Sequence, residues 1–438
     1  MPIVGIVELT NKTLYGFTSR NVPIYLFRPL DPKKTLFVAG CSQKDRSKNL
    51  LALLEPDDMS ERIPRGHIVQ ILGECGDWTV ERQAVHWLYQ SHRQPKVSLR
   101  DLTPPVPDCR LDLRGFRTLH VDPPGCLDID DCVTFWNGTF VITIADVGTW
   151  VLQNPALEAF SVNGQTLYDN GVAVRPMFPK ELSEDLFTLK PGSDRFGLSL
   201  VIEKGRDPYW RKSIVCVTES YTYDEANGIP ELKQWAEHLA DRTLSNDSHE
   251  WIEACMLYYN LYMAKQLPEH ALIRCHDAPD FEKMTRYSAI CPETSRLAES
   301  AASYARRDSY KTHWSMGQRL YTHMTSPIRR WADVLNQMAL YGHSFNTDPT
   351  FLNEQGKRAK KHDRDLFFLD QLRKPSPVLS GVVLEPNRIW VKQWKRLIKN
   401  THVDYEPGTH VKITYYLDMF ETTWKRRLIT CVDIDCPE

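Results

Sequence analysis

The segment DPPGCLDIDDCVTFWNGTFVITIADV, residues 122–147, begins with four aspartates in ten positions and ends in a continuous apolar run typical of a buried strand. On the C-terminal side of this segment, residues 251–266 and 367–372 have the periodicity of helices. Strands and helices therefore mix through the middle of the chain. We predict an α+β domain over residues 110–374.

The four aspartates of the opening motif are candidates for a shared site. In an extended segment, Asp128 and Asp130 point to the same face and Asp131 to the other, and the Pro-Pro-Gly turn can bring Asp122 back toward them. Four convergent carboxylates raise one another's pKa unless cations neutralise them. Divalent ions bind such oxygen ligands and can activate water for phosphodiester hydrolysis. The motif predicts a metal-dependent phosphoryl-transfer site, with a solvated turn or a calcium loop without chemistry as the alternatives.

The sequence predicts a small β-barrel on each side of this domain. Residues 1–100 contain short alternating runs separated by turn residues, which is typical of a closed barrel: 3–9, 24–28, 35–39 and 67–72. The proline-rich stretch 102–109 predicts an extended linker. After the Lys-Pro-Ser-Pro stretch at 374–377, residues 378–438 alternate again and predict a second barrel.

Composition limits the partners and the compartment. The 438 residues carry 54 Lys+Arg and 56 Asp+Glu, a formal charge of -2, so a polyanion must be held by local patches rather than by a global field. Eleven cysteines without a CxxC pair favour reduced thiols. The most apolar stretch, residues 140–152, contains Asp146 and is too short to span a bilayer. We predict a cytoplasmic protein with no membrane partner.

A second motif, YTHMTSPIRRWADVLNQMAL, occupies residues 321–340. Ser326 is a favourable N-cap, and the following proline is a favourable first residue of a helix. Arg329 and Arg330 would then lie in the first turn, near the positive end of the helix dipole, where a cation is unfavourable unless it faces an anion such as a phosphate. The alternative, which the spacing alone favours, is an ion pair between one of these arginines and an acid such as Asp333.

DPPGCLDIDD, followed about 190 residues later by YTHMTSPIRRWAD, resembles the ribonuclease II family of RNB-domain exoribonucleases, specifically its exosome-type branch. Five further segments resemble that branch in the same order: GHIVQILGECGDWTVE, VITIADVGTWV, RPMFPKELSEDLFTLKPGSDRFGLSL, RCHDAPDFEKM and HWSMG. The resemblance implies an RNB catalytic domain flanked by β-barrels of the OB or cold-shock type.

The resemblance also implies an activity and its site. A member of this family would degrade single-stranded RNA processively from the 3′ end, by a metal-ion mechanism, to nucleoside 5′-monophosphates. Asp122, Asp128, Asp130 and Asp131 would hold one or two Mg²⁺ ions, with Mn²⁺ as a substitute. Asp130 and Asp131 would be catalytic together with Arg329, which would stabilise charge on the phosphate.

Aromatic and polar residues would contact the RNA. By motif position Tyr223 and Tyr168 would stack on bases, and Glu253 would read the terminal ribose, although each tyrosine has the alternative of an ordinary core or surface aromatic. Arg330 and His323 complete the expected RNA-binding set. We expect His323 to form structural hydrogen bonds rather than act as a base.

A rival interpretation is a catalytically inactive RNB-fold protein that binds RNA as a regulator. The presence of all four aspartates and of Arg329 favours the enzyme. Single-stranded RNA and RNA-decay cofactors are the expected partners. Docking to an exosome is not expected, because this sequence lacks the N-terminal endonuclease domain of the exosome-type branch.

Overall fold

The computed structural model describes residues 2–11, 13–59, 62–90, 92–106, 109–374, 378–399, 405–418, 421 and 424–435. The chain forms two compact units. The first contains residues 1–93, 279–300 and 360–438, and the second contains residues 94–278 and 301–359. Parts of both predicted linkers, residues 107–108 and 375–377, lie outside the described residues. The domain boundaries drawn from the sequence, 1–100, 110–374 and 378–438, stay a prediction.

The strands of the described residues are, in chain order, β1 (Ile3–Val7), β2 (Ile24–Pro29), β3 (Phe37–Gly40), β4 (Leu50–Asp58), β5 (Arg65–Glu74), β6 (Leu111–Asp112), β7 (Arg117–Val121), β8 (Asp131–Trp136), β9 (Thr139–Ala145), β10 (Leu167–Asp169), β11 (Val172–Arg175), β12 (Asp194–Glu203), β13 (Tyr209–Cys216), β14 (Glu219–Tyr221), β15 (Leu272–Cys275), β16 (Ser303–Arg306), β17 (Leu379–Glu385), β18 (Arg388–Val391), β19 (Arg396–Lys399), β20 (His410–Leu417) and β21 (Leu428–Ile434).

The α-helices are α1 (Trp78–Leu88), α2 (Val147–Gln153), α3 (Tyr223–Ala226), α4 (Pro230–Ala240), α5 (Ser248–Gln266), α6 (Phe281–Ile290), α7 (Trp331–Leu340), α8 (Pro349–Arg373) and α9 (Trp424–Arg427). Short 3₁₀ or π segments span Pro155–Asn163, Glu181–Leu186, Pro292–Ala298, Arg307–Ser309 and Trp314–Met316. Across the described ranges, no helix has both the length and the apolar composition that crossing a membrane requires.

In the first unit, β1 to β5 form a closed barrel in the order β1-β2-β3-β5-β4, which confirms the predicted barrel. The sequence reading missed β4. Leu50, Ala52 and Leu54 face the barrel core, whereas Leu51 and Leu53 pack in a second cluster with residues of α1. Because β4 is covered on both faces, it lacks the alternation of a half-exposed strand.

The C-terminal part of the first unit is also built on strands. Among the described residues, they form a five-stranded sheet in the order β19-β18-β17-β20-β21, with antiparallel pairing throughout. Residues of α8 pack on its core, where Phe368 lies against Trp394 with ring centroids 5.6 Å apart. The predicted short strands are thus present, and β19 is an additional one.

The second unit is organised around a seven-stranded sheet with the order β14-β7-β8-β9-β12-β13-β6. Strand β9 is buried on both faces: Val141 and Ala145 pack with residues of α2 and α7, while Phe140, Ile142 and Ile144 pack with residues of α4 and α5. The apolar run that ends residues 122–147 is therefore a central strand, and the α+β fold class is confirmed.

The predicted N-cap of α7 at Ser326 is wrong, because the N-cap is Arg330, four residues later, and the helix begins at Trp331. Arg330 has an extended backbone, with φ -136° and ψ 122°, and pairs with the segment that precedes β10. The Trp331 N–H donates to the Gly164 carbonyl at 2.8 Å. These long-range bonds hold residue 330 out of α7. The two arginines instead close a separate turn, in which the Arg329 and Arg330 N–H groups donate to the Ser326 carbonyl at 3.3 and 3.0 Å.

Candidate active site

The end of the seven-stranded sheet brings the acidic motif together. Strand β7 ends one residue before Asp122, and its antiparallel neighbour β8 begins with Asp131, so both aspartates lie at the same sheet end. Strand β14 runs parallel to β7, and Tyr223 follows it at this same end. The Asp122 N–H also donates to the Tyr221 carbonyl at 3.1 Å, which ties the two strand ends together.

The loop between β7 and β8 is held by a threonine that the sequence did not single out. Gly125 has φ +80°, as the Pro-Pro-Gly turn requires. The buried Thr188 hydroxyl accepts the Ile129 N–H and donates to the Leu127 carbonyl, both at 2.8 Å. Since Thr188 lies 59 residues from Ile129, no local pattern reveals this role.

One cavity of about 910 Å³ in the second unit contains the acidic motif. All the residues proposed from the sequence line this cavity: Asp122, Asp128, Asp130, Asp131, Tyr168, Tyr223, Glu253, His323, Arg329 and Arg330. They come from loops and elements that are far apart in the chain, so their convergence is a property of the fold.

Asp130 is the most deeply placed aspartate of this set, with 5% of its surface exposed. Its Oδ1 accepts the Ile328 N–H at 2.8 Å, and its Oδ2 lies 3.5 Å from the Arg329 Nε. Burial raises its pKa well above the ordinary aspartate value, against the opposing charge of Arg329. The Arg329 side chain is 44% exposed, which leaves much of its guanidinium open to a ligand.

Two more aspartates have hydrogen-bond partners of their own. The Tyr168 hydroxyl donates to Asp128 in a short bond, and burial raises the pKa of both groups. Asp122 lies 2.9 Å from the Nδ1 of the buried His120, whose Nε2 contacts a serine hydroxyl at 3.0 Å. His120 was missed, although it lies on β7 only two residues before Asp122, a spacing that in an extended chain puts both side chains on the same face.

Asp131 differs from the other three. Its carboxylate has no hydrogen-bond or ion-pair partner within the part of the chain that the structure describes. Burial, reinforced by the negative charge of Asp122, raises its pKa to about 8. Within the same residues, no three His, Cys, Asp or Glu side chains are close enough together to hold a metal ion unaided.

Tyr223 forms an aromatic wall of the cavity. Its ring stacks on that of His249, with centroids 3.8 Å apart and planes 10° from parallel. Burial and the charges of Asp131 and Asp122 raise the pKa of Tyr223 to about 12, so its hydroxyl stays protonated. His249 was not predicted, and it covers one face of the Tyr223 ring. Glu253 lies on α5, one turn beyond His249.

Arg330 has structural partners. Its guanidinium donates to Asp333 at 2.8 Å, which is the ion pair that the spacing favoured, and Asp333 also accepts the Ser326 N–H at 2.8 Å. The His323 Nδ1 accepts from the Tyr304 hydroxyl at 2.9 Å and from Arg330 at 3.3 Å, so its ring is neutral. Burial and the Arg330 charge lower the His323 pKa well below its ordinary value. The expected structural hydrogen bonding of His323 is present.

Known proteins are similar to this chain in sequence. The family model described as RNB domain matches residues 110–245 and 238–346. The exosome complex exonuclease dis3 of Schizosaccharomyces pombe is 24% identical over 451 residues, which cover 76% of this chain and 46% of that protein. The chain spans about half the length of the curated relatives it matches.

Solved structures share the fold. The Mycoplasma genitalium RNase R in complex with ribose methylated single-stranded RNA superposes with a TM-score of 0.70 at 15% identity, covering 98% of this chain and 90% of that one. Yeast Ssd1, a pseudonuclease, superposes with a TM-score of 0.65 at 13% identity, covering 95% and 67%. One fold therefore occurs in a ribonuclease and in a pseudonuclease, and the site must decide between them.

Proposed function

Since the chain belongs to the RNB domain family, which is homologous over this region to 3′–5′ exoribonucleases, we propose that it hydrolyses single-stranded RNA processively from the 3′ end and releases nucleoside 5′-monophosphates. A cytoplasmic location and recruitment by RNA-decay cofactors belong to this proposal. The single observation that carries it is the shared cavity, in which four aspartates, a half-exposed arginine and a tyrosine line one space.

A divalent cation, Mg²⁺ or in its place Mn²⁺, suits these residues. Among the described residues the Asp131 carboxylate has no hydrogen-bond or ion-pair partner, and Asp130 is buried, so positive charge beside them would favour the ionised form of both acids. Mg²⁺ typically binds through one or two carboxylates together with water and substrate phosphates. A set of fewer than three converging ligands is therefore compatible with an ion whose remaining ligands come from RNA and solvent. When bound, such an ion supplies charge neutralisation and activation of the attacking water.

The chain's own residues would position the phosphate. Arg329 lies beside Asp130 and reaches the cavity, so its guanidinium would stabilise charge that develops on the phosphate during cleavage. The Ile328 amide holds Asp130 in place, and the Tyr168 hydroxyl holds Asp128. Tyr168 thus orients a carboxylate. Tyr168 and Glu253 both line the cavity and would contact the terminal nucleotide there.

Binding would be independent of sequence. Tyr223 and His249, stacked on each other, would offer an aromatic surface on which any base can stack, at about 1–3 kcal/mol per base. Arg330 is neutralised by Asp333, so we assign it a role in holding the Arg329 loop and a contact with RNA through its remaining exposed edge. A degradative exonuclease requires this indifference to the base.

The decisive experiment is a time course on a 5′-labelled single-stranded RNA, with Mg²⁺, with Mn²⁺ and with EDTA. We expect a short 5′-terminal fragment and 5′-monophosphates in both metals and intact RNA in EDTA. Abundant intermediates that dissociate and rebind would contradict processivity, and cleavage in EDTA would contradict the metal mechanism.

The second candidate is an RNA-binding regulator without catalysis. The fold shared with the pseudonuclease Ssd1 and the lack of three converging metal ligands in the described residues favour it. It predicts that the same RNA shifts in a binding gel but stays intact with every metal. The four aspartates and Arg329, all in one cavity, are the reason that we rank the enzyme first.

A further inference from the structure

A second pocket in the same unit has no role in the proposed chemistry. It has a volume of about 420 Å³, and three basic side chains and one tyrosine line it: Arg307, Lys311, Arg319 and Tyr310. We call it the basic pocket. Its base is fixed by backbone hydrogen bonds, including one from the Arg307 N–H to the Ala271 carbonyl at 2.9 Å.

The three cations have no side-chain partners among the residues that the structure describes. Their side chains make no hydrogen bond or ion pair with any residue in the described ranges, and Lys311 and Arg319 are exposed. The adjacent Arg306 shows the contrast, because its guanidinium donates to three backbone carbonyls, among them that of His270 at 2.6 Å. Arg306 therefore supports the fold, whereas Arg307 remains available to a ligand.

The charge of the basic pocket suits one phosphodiester. Glu269 and Asp308 also line it, so three cations and two anions leave a formal charge of +1. This matches the single negative charge of a phosphodiester better than the double charge of a terminal phosphate. The carboxylates can accept hydrogen bonds from a ribose hydroxyl or an exocyclic amine.

Tyr310 presents an aromatic ring at the same pocket. It is 80% exposed, and its backbone has φ +54° and ψ 20°, a left-handed conformation that is uncommon for a bulky residue. An exposed ring held by an unfavourable backbone is consistent with a functional surface. A base can stack on such a ring whatever its sequence.

The basic pocket adjoins the active-site cavity through one backbone segment. Leu320 lines the basic pocket and Tyr321, the next residue, lines the active-site cavity. The Arg274 N–H donates to the Tyr321 carbonyl at 2.8 Å, which fixes this segment. In a chain with a formal charge of -2, unpaired cations beside the cavity form a local attraction for a polyanion.

From these observations we infer that the basic pocket binds one nucleotide of a single-stranded RNA whose end lies in the active-site cavity. Arg307, Lys311 and Arg319 contact its phosphodiester, and its base stacks on Tyr310. This inference rests on the proposed function for the identity of the polymer, but its test is a binding measurement. An acidic protein segment suits the pocket less well, because its carboxylates offer neither a base for Tyr310 nor a hydrogen-bond donor for Glu269 and Asp308.

The test compares two 5′-labelled RNAs, one of about four nucleotides and one of about twenty, by fluorescence anisotropy in EDTA. In the full chain, the Arg307→Gln/Lys311→Gln/Arg319→Gln variant should bind the longer RNA at least about tenfold more weakly, and the slope of log affinity against log salt should fall by about 0.7. Tyr310→Ala should weaken binding of the longer RNA by about 5- to 150-fold. The shorter RNA should be unaffected.

Controls separate this inference from folding and from catalysis. Arg206→Gln removes an exposed cation outside both cavities and should leave binding unchanged. Because Arg307 is half-buried, Lys311→Gln/Arg319→Gln, which changes only exposed side chains, should weaken binding in the same direction without lowering the melting temperature. Hydrolysis of the short RNA in Mg²⁺ tests the proposed function separately. Unchanged affinity of the variants for the longer RNA, or equal weakening for both lengths, would each overturn the inference.

Discussion

Replacing Asp130 by asparagine separates charge from shape at the centre of the site. The asparagine oxygen can still accept the Ile328 N–H, now 2.8 Å from Asp130 Oδ1, so only the charge is lost. Because a divalent ion provides several kcal/mol of transition-state stabilisation, losing a buried ligand should slow hydrolysis by at least about 10³-fold, or about 4 kcal/mol. Removing a negative charge from the cavity should leave RNA binding unchanged or slightly tighter.

The stability of the same variant gives an independent check. Burial raises the pKa of Asp130 strongly, so its charged form is costly in the fold, and Asp130→Asn should be at least as stable as the wild type without divalent ions. Asp130→Ala should instead lose about 1–3 kcal/mol, because the buried Ile328 N–H loses its acceptor. In Mg²⁺ at about 100 times its Kd, the wild type should gain about 2.7 kcal/mol and Asp130→Asn much less.

Three measurements on each protein complete this test: single-turnover hydrolysis of labelled RNA, anisotropy binding in EDTA, and urea unfolding with and without Mg²⁺. Asp194→Asn is the matched control, since Asp194 is 57% exposed and does not line the cavity. If Asp130→Asn kept more than about a tenth of the activity, Asp130 would not be a catalytic ligand. If it unfolded about 2 kcal/mol more easily than the wild type without metal, the electrostatic argument would be wrong.

Three further predictions follow from individual contacts. Tyr168→Phe removes the hydroxyl that donates to Asp128 but keeps the ring, so kcat should fall by about 10- to 150-fold with little change in KM; a change in KM alone would make Tyr168 only a stacking residue. Asp146→Ala leaves the buried Arg110 guanidinium without its carboxylate 2.9 Å away and should cost about 3–5 kcal/mol in urea unfolding, whereas a loss under about 1 kcal/mol would show that the ion pair is dispensable. Burial lowers the pKa of His323, so as the pH falls this histidine is protonated in the unfolded chain before it is protonated in the folded protein. The contribution of His323 to the free energy of unfolding should therefore be constant above a pH of about 6.5 and fall below it by up to about 1.4 kcal/mol per pH unit. An equal slope in His323→Gln would exclude this residue as the cause.

The hydrophobic pattern of the sequence predicted those strands whose burial agrees with the pattern. The apolar run within residues 122–147 is long and uninterrupted, and it is the central strand β9. Strand β4 could not be read in the same way, because Leu51 and Leu53 are covered by α1 instead of solvent. Alternation of apolar and polar residues indicates a strand with one buried face, so this signal is missing from a strand whose second face is covered by another element.

The sequence indicated which residues belong to the candidate site, but it did not indicate which side chains contact one another. The family motifs give residue types at positions, and all ten residues line one cavity. They do not give the partner of each side chain: Tyr168 donates to Asp128 across 40 residues, and the bond from Trp331 to Gly164 overrides the Ser-Pro helix start. Those bonds join segments that only the fold brings together.

The sheet topology explains why an external cation would stabilise the acidic cluster. Antiparallel strands β7 and β8 bring Asp122 and Asp131 to one end, which concentrates like charges at an energetic cost. The chain offsets that cost with His120 for Asp122 and with Arg329 for Asp130, but it provides no partner for Asp131 within the described residues. The Arg329 charge favours the ionised form of Asp131 but does not outweigh its burial, so a cation bound together with a phosphate, as we propose, would stabilise this carboxylate further.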